Sequence, residues 1–367
     1  MCRLLLVFLV IVLGSLFCLS GCRGVDIDKR NIVVGLGVDV GKNARYRVTL
    51  KIAAHEGGES IGLNDFFILD QEANSIAYAV EALQAKSEKF LDFSQTRIIV
   101  MDEVIARNNA ESLLDYAVRK PGLQFITWMA VARPNANDLL KVKRKSEKPV
   151  GIYFNDLFTN IHGVSMYLDA VSMSKFYARF YERGSDPYLP ILEHKGDEIV
   201  TERLALFDKK GMKLELVPEE VSLFRLITKK PKVFHYELNG QNENEHVVTQ
   251  FRNTKVRYNL KEDTQPPKIR YNVRLSGVVE EAGKESVTVS TDASAYASEE
   301  AREIQRKLVM LLEKMQNAGL DPLGFGLNYL SKHWNPNENW EAWQTLYPQL
   351  KFDADVRVQL RSDGSLK

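Results

Sequence analysis

The hydrophobic positions of this chain change period several times, and each change predicts an element. Leu4 to Phe17 is almost unbroken apolar sequence, too short to cross a ~30 Å hydrocarbon core comfortably as a helix. Ile32 to Val38 is a second apolar run, with glycines at 35 and 37, and Gly41-Lys42-Asn43 makes a turn. Tyr46, Val48, Leu50 and Ile52 then alternate with Arg45, Arg47, Thr49 and Lys51. That period of two predicts a half-buried strand, and the pair an antiparallel hairpin. Ala73, Ile76, Ala77, Val80 and Leu83 recur at three and four residues, the apolar stripe of an amphipathic helix.

Arg97 to Met101 predicts a compact buried strand, Ala110 to Val118 a second helix ended by Pro121-Gly122, and Phe125 to Ala132 another strand. Strand, helix, strand, helix, strand in that order suggests a mixed sheet with helices packed on it. Asn137 to Lys145, Asn155 to Thr159 and Ser174 to Tyr181 read as further helical pieces. Turn formers cluster at Gly184-Ser185-Asp186-Pro187-Tyr188-Leu189-Pro190 and mark a boundary. Beyond it, Leu204–Phe207 and Lys213–Val217 flank Lys209-Lys210-Gly211 as a hairpin, and Pro218-Glu219-Glu220 opens a helix.

Val247 to Leu260 and Lys268 to Glu280 predict two long strands joined through Pro266-Pro267, with Ser286 to Ser290 as a third. Ser298-Glu299-Glu300-Ala301 reads as the cap of the longest helix, which carries Ile304, Leu308, Leu311, Leu312 and Met315 and stops at Gly319. Phe352 to Leu360 alternates as a terminal strand. The expected division is a leader over 1–21 and a mixed α/β unit over 22–186. A small middle unit over 187–236 and a unit with an antiparallel sheet and the long helix over 237–367 follow.

The leader carries its own chemistry. Arg3 and the amino group make a short positive region, the apolar run follows, and Leu19-Ser20-Gly21-Cys22 has the small-residue pattern of a bacterial lipoprotein processing site. The same residues also fit a short membrane anchor that happens to contain a cysteine. Cleavage and lipidation at Cys22 is the reading taken. Cys2 and Cys18 then leave with the leader, so the mature chain has Cys22 alone and can form no internal disulfide. Each buried methylene of an acyl chain is worth ~0.8 kcal/mol, so two chains anchor firmly where one binds reversibly.

The 49 basic and 48 acidic residues leave the chain near neutral, which argues against a nucleic-acid binder. Lys141 to Lys145 is the densest basic run and reads as a solvated loop or helix end, with anionic headgroups as the second reading. Gly35-Leu36-Gly37-Val38-Asp39-Val40-Gly41 has the wrong spacing for a dinucleotide loop and is followed by a strand. The six histidines, among them His55, His162 and His333, show no zinc-ligand spacing. No serine sits in a nucleophile elbow, and the mature chain keeps no cysteine for thiol chemistry. No enzyme activity, metal or cofactor is expected. The rings Phe325, Tyr329, Trp334, Trp340, Trp343 and Tyr347 read as core between the long helix and the terminal sheet, with an exposed protein contact as the minority reading.

The ordered set of motifs resembles the Ger(x)C lipoproteins, the C subunits of bacterial spore nutrient germinant receptors. The resemblance runs from the site at Cys22 through Ile32 to Asp39, the block from Arg97 to Asp115 with Arg119-Lys120-Pro121, and Gly184 to Pro187 with Leu189-Pro190. It continues through Leu204-Ala205-Leu206-Phe207 with Lys210, Asp321-Pro322-Leu323-Gly324-Phe325-Gly326, Trp343 and the strand to Gly364. The family places Trp-Asp directly after the lipidated cysteine, whereas Arg23-Gly24-Val25-Asp26 follows here. The resemblance implies a three-domain α+β lipoprotein, its antiparallel-rich mixed sheets packed with helices, held on the outer surface of the spore inner membrane. It implies assembly with two integral membrane partners, the A and B subunits, and supplies no catalytic or ligand-binding residue. The alternatives are a lipid-anchored solute-binding protein, which needs two similar α/β lobes, and a membrane-attached hydrolase.

Overall fold

The apolar run and the alternating run that follows it form β1 (Arg30–Val40) and β2 (Tyr46–Ala53), antiparallel from Val33↔Ile52 to Val40↔Tyr46. The structure, a computed structural model, describes residue 3 and residues 26–54, 66–142, 152–159, 167–196, 198–229, 231, 233–239, 246–262, 264–282, 289–333 and 335–361. The rest of the expected leader, Cys22 and residues 143–145 of the basic run lie outside the described residues.

The first half of the chain adds β3 (Phe66–Ala73), α1 (Ile76–Lys86), β4 (Phe90–Asp92), β5 (Ile98–Asp102), α2 (Glu103–Asn108) and α3 (Ala110–Arg119). It goes on through β6 (Trp128–Arg133), α4 (Ala136–Lys141), α5 (Ile152–Thr159), α6 (Met173–Tyr181), β7 (Tyr188–Lys195), β8 (Glu198–Phe207) and β9 (Met212–Leu216). Its sheet has nine strands in the order β3-β2-β1-β5-β6-β7-β8-β9, with β4 paired to β1. The centre, β1-β5-β6-β7, is parallel and the flanks are antiparallel. All five residues of β5 are buried, as a strand covered by helices on both faces requires. Ile99 and Met101 face the core under α1, α3 and α6, while Ile98 and Val100 face the one under α4 and α5.

Gly35 and Gly37 lie inside β1, where a Cβ would come 2.9 Å from the Leu140 methyl groups. They let α4 sit directly on the strand, which is their role in place of a phosphate loop. The carboxylate of Asp39 on β1 accepts from the backbone N–H of Ala136 (2.6 Å) and Asn137 (2.9 Å), holding the amino end of α4. Burial pushes that carboxyl up to about 6 against the pull of both donors. Lys51, in the alternating run read as polar, is buried, donates to the Val142 carbonyl (3.1 Å) and stands 3.8 Å over the Phe66 ring. Its burial lowers the ammonium to about 7.

α7 (Pro218–Lys229) leads to the second sheet, made of β10 (Phe234–Asn239), β11 (His246–Lys261), β12 (Lys268–Ala282) and β13 (Lys351–Arg361), in that order. Between β12 and β13 run α8 (Val289–Asn317), α9 (Phe325–Lys332) and α10 (Pro336–Leu346). The expected antiparallel sheet needs correction, since β13 pairs parallel to β12 from Lys268↔Lys351 onward. A parallel neighbour requires a crossover, and α8 supplies it while its apolar stripe covers one face of the sheet. α8 also begins earlier than expected. Ser298 is inside it and donates to the Ser294 carbonyl in place of capping, and Val289 and Ser290, read as strand, are helical. It ends at Gly319 with φ +70°, as the sequence predicted.

The sheets do not follow the three-way division expected from the sequence. Strands over 188–216 continue the first sheet, α7 is tied to α8 by Lys314–Glu220 (2.7 Å), and β10 belongs to the second sheet. Pro190, read as a breaker, sits in β7 just before the first residue paired to β6, where its missing N–H leaves no ladder bond unmade on that side.

Candidate functional site: the junction between the two sheets

The turn after α6 and the turn before α9 are both glycine-flanked Asp-Pro dipeptides, Asp186-Pro187 and Asp321-Pro322. The fold brings them together. The Asp186 N–H donates to the Asp321 carbonyl (2.9 Å), and the Asp321 N–H donates to Asp186 Oδ2 (2.7 Å). The Leu327 N–H donates to the Gly184 carbonyl at 2.7 Å. Gly184 has φ +77°, and a Cβ there would lie 2.5 Å from the backbone of Gly326 and Leu327. The two chain segments therefore meet backbone to backbone.

The Asp321 side chain, 5% exposed, organises its own turn. Oδ1 accepts from the Phe325 N–H (3.0 Å) and Oδ2 from the Gly326 N–H (2.7 Å), satisfying donors at the start of α9 that would otherwise be orphaned. Arg179 on α6 donates through one nitrogen to the carbonyls of Asp186 (3.0 Å) and Pro322 (2.8 Å), one from each half, and lies 4.9 Å over the Tyr188 ring. Lys209 donates to the carbonyls of Arg179 and Ser185 and pairs with Asp186 Oδ1 at 3.4 Å. The Tyr347 hydroxyl donates to the Leu320 carbonyl (2.6 Å).

Burial is the largest influence on both carboxyls and raises both. Asp321 is pushed up to about 7 despite its backbone donors, and Asp186 is raised despite the Asp321 N–H and Lys209. Lys209 is lowered by the same loss of water. The site has hydrogen-bond donors, acceptors and ions in matched positions, and its chemistry is that of a latch. Beside it opens a cleft of about 570 Å³, with Arg179, Tyr188, Arg257, Tyr258, Asn328 and Lys332 on its walls.

The expected aromatic core is largely present. Phe325, Tyr329, Trp343 and Tyr347 are buried, the Trp343 ring lies tilted 5.3 Å from both Tyr329 and Tyr347, and Phe325 meets Tyr258 edge to face at 5.2 Å. Trp340 packs at the margin, and Trp334 lies outside the described residues. His333 stacks on Tyr329 and faces Glu262 at 3.5 Å, while His55 and His162 are outside the described residues. Among the described residues no helix is long and apolar enough to cross a bilayer. Lys141 ends α4, facing Asp138 at 3.9 Å. Sequence reasoning missed the reciprocal Asp186–Asp321 pairing. The repeated Asp-Pro with adjacent glycine was the available signal.

Two family models match the chain, the spore germination protein N-terminal domain over residues 23–194 and the spore germination B3/GerAC-like C-terminal domain over residues 202–364. The chain is 21% identical to the spore germination protein GerQC of Bacillus cereus, over 97% of its own length and 98% of that protein's. It is 22% identical to the spore germination protein KC of Bacillus subtilis strain 168, over 97% and 95%. The crystal structure of the GerBC protein superposes with a TM-score of 0.59 and 13% identity, over 89% of this chain and 97% of that one, and shares its fold.

Proposed function

The chain belongs to the GerAC-like spore germination proteins, and from that premise we propose that it is a non-enzymatic, lipid-anchored subunit of a spore nutrient germinant receptor. It assembles with the integral membrane A and B subunits on the extracytoplasmic face of the spore inner membrane. The observation that carries this reading is where the matched region starts. The N-terminal family domain begins at Arg23, directly after Cys22, so the family fold starts where the mature, lipidated chain would start.

The junction supports a scaffolding and signalling role. Its latch joins two sheets of different size and strand order, unlike the two similar lobes that a solute-binding protein closes around its ligand. Lipid on Cys22 raises the local concentration of the docking surfaces near the membrane subunits.

Mass spectrometry of the protein from spore membranes tests the reading, wild type against Cys22→Ala. A diacylglyceryl mass on Cys22 is expected, lost in the variant together with membrane retention and nutrient-triggered germination. An uncleaved amino terminus would defeat the lipoprotein reading. Lipidation with germination unchanged in Cys22→Ala spores would count against the receptor role.

A further inference from the structure

The second sheet has one face under α8 and one open face, and the open face is strongly cationic. Burial alternates strictly along β12 from Lys268 to Leu275, with Lys268, Arg270, Asn272 and Arg274 pointing outward and exposed. On β11 beyond the irregularity after Phe251, Lys255, Arg257, Asn259 and Lys261 are the outward, exposed positions, with Tyr258 between them partly exposed, and β13 alternates in the same way. The registers then set outward residues side by side. Lys255, Arg274 and Arg357 form one row across the three strands, and Lys261, Lys268 and Lys351 form another. Each row spans about 10 Å, and the two lie about 20 Å apart along the strands.

Arg257 and Arg270 stand between the rows, where Asp353 and Asp355 are the outward acids of β13. Those acids lie against Arg270 (3.4 Å) and Arg357 (3.1 Å). Among the described residues the side chains of Lys255 and Arg274 have no ion-pair or hydrogen-bond partner. Like charges directly opposite one another destabilise a sheet, so these rows cost stability in the isolated chain. The chain as a whole is formally only +1, and the cationic face is therefore a segregation of charge. A depression of about 360 Å³ runs along the first row, where Asn253, Ser276 and Gln359 add neutral hydrogen-bonding groups.

We propose that this face docks on the anionic headgroups of a phospholipid bilayer. A stable protein interface needs an apolar or aromatic centre, and the outward positions here are cations, amides, a hydroxyl and the two acids Asp353 and Asp355, each paired to an arginine of the face. Single-stranded nucleic acid needs rings to stack on, and Tyr258 instead turns inward against Phe325. A bilayer surface asks only for a broad plane of positive charge within a Debye length of its headgroups. The proposal adds to the membrane reading above and is tested without lipid on Cys22, so failure of either leaves the other standing.

The test is cosedimentation of a chain from Arg23 to Lys367, which keeps every strand and helix named above, with phosphatidylglycerol-containing vesicles and with pure phosphatidylcholine vesicles. Circular dichroism melting confirms that each protein is folded. Binding to the anionic vesicles is expected, suppressed by ~1 M salt, where the Debye length falls to about 3 Å. Lys255→Gln, Arg274→Gln and Arg357→Gln together are expected to weaken it roughly a hundredfold, about fivefold for each cation. Neutralising Lys86, Arg119 and Lys175 on the helices of the first sheet is expected to leave it nearly unchanged. Equal binding to both vesicle types, or equal loss in the two triple variants, would overturn the proposal. So would binding to polyglutamate with none to vesicles, which assigns the face to an acidic polypeptide.

Discussion

Gly184→Ala is expected to destabilise the protein by about 3 kcal/mol or more. Two costs add. At φ +77° an L-residue pays about 1–2 kcal/mol for the left-handed conformation. The new Cβ would also meet the backbone of Gly326 and Leu327 at 2.5 Å, and backbone cannot rotate away, so overpacking adds about 1–3 kcal/mol. Separation of the segments would also lengthen the Leu327 N–H bond to the Gly184 carbonyl, now 2.7 Å. Gly196 provides the control, with φ +61° and open space around it, so Gly196→Ala pays only the conformational cost. Urea unfolding of both variants, with hydrogen exchange at the Asp321 and Leu327 amides, separates the terms. Faster exchange at those two amides in Gly184→Ala alone is the expected result. Equal destabilisation by the two substitutions would show that the halves are not held through this contact. If the halves transmit a signal as one body, the same variant should also respond poorly to nutrient.

Much of this architecture was legible in the chain. The hairpin of β1 and β2 and the long strands β11 and β12 follow from their alternation or apolar runs, and β5 from a short unbroken apolar run that helices cover on both faces. Elements whose neighbours decide their fate were harder to read. β7 carries Pro190, and β10 is six residues in an otherwise polar stretch, so only their partners in the sheet identify them as strands. The start of α8 was misplaced because Ser298-Glu299-Glu300 has the sequence of a cap. In the fold, Glu300 is fully buried against β11, a position that tertiary packing imposes on a residue type at home on a surface. Lys51 is the same case in a strand. Its alternation with apolar neighbours reads as an outward position, but α4 and α5 cover that face too. The latch was half visible, since Asp186-Pro187 stood out as a turn and Asp321-Pro322 only as part of the family pattern, while nothing in the sequence said that they meet. Cys22 remains a reading of the sequence and its place before the family domain.

Glu300→Gln is expected to make the protein more stable at pH 8 while leaving it near wild type at pH 5. Glu300 is 0% exposed, accepts one hydrogen bond from the Thr249 hydroxyl, and is pushed up to about 7 by burial. Its other oxygen has no partner among the described residues. A carboxyl whose folded pKa stands above its unfolded value takes up a proton on folding. Its contribution is therefore fully present below the unfolded pKa and is lost as pH rises through the folded one. For Glu300 that window runs from 4.5 to about 7, and Asp321 (about 7) and Asp39 (about 6) act in the same direction from 3.8. Carboxylates lowered by hydrogen bonds and ion pairs, such as Glu193 and Glu215, have the opposite sign, and their stabilisation is complete once pH passes their unfolded value of 4.5. Lys51, lowered to about 7 from 10.5, adds stability only as pH rises above neutrality. Stability should thus fall from about pH 5 to a minimum near pH 7 and recover on the alkaline side. Glutamine copies the protonated carboxyl, keeps an oxygen for Thr249 and removes the buried charge, a gain of at most roughly 3 kcal/mol at pH 8. Urea midpoints of both proteins at the two pH values measure it. Equal destabilisation of Glu300→Gln at pH 5 and pH 8 would mean that the glutamate is held as an ion by a stabilising partner, and the predicted minimum would lose its main source.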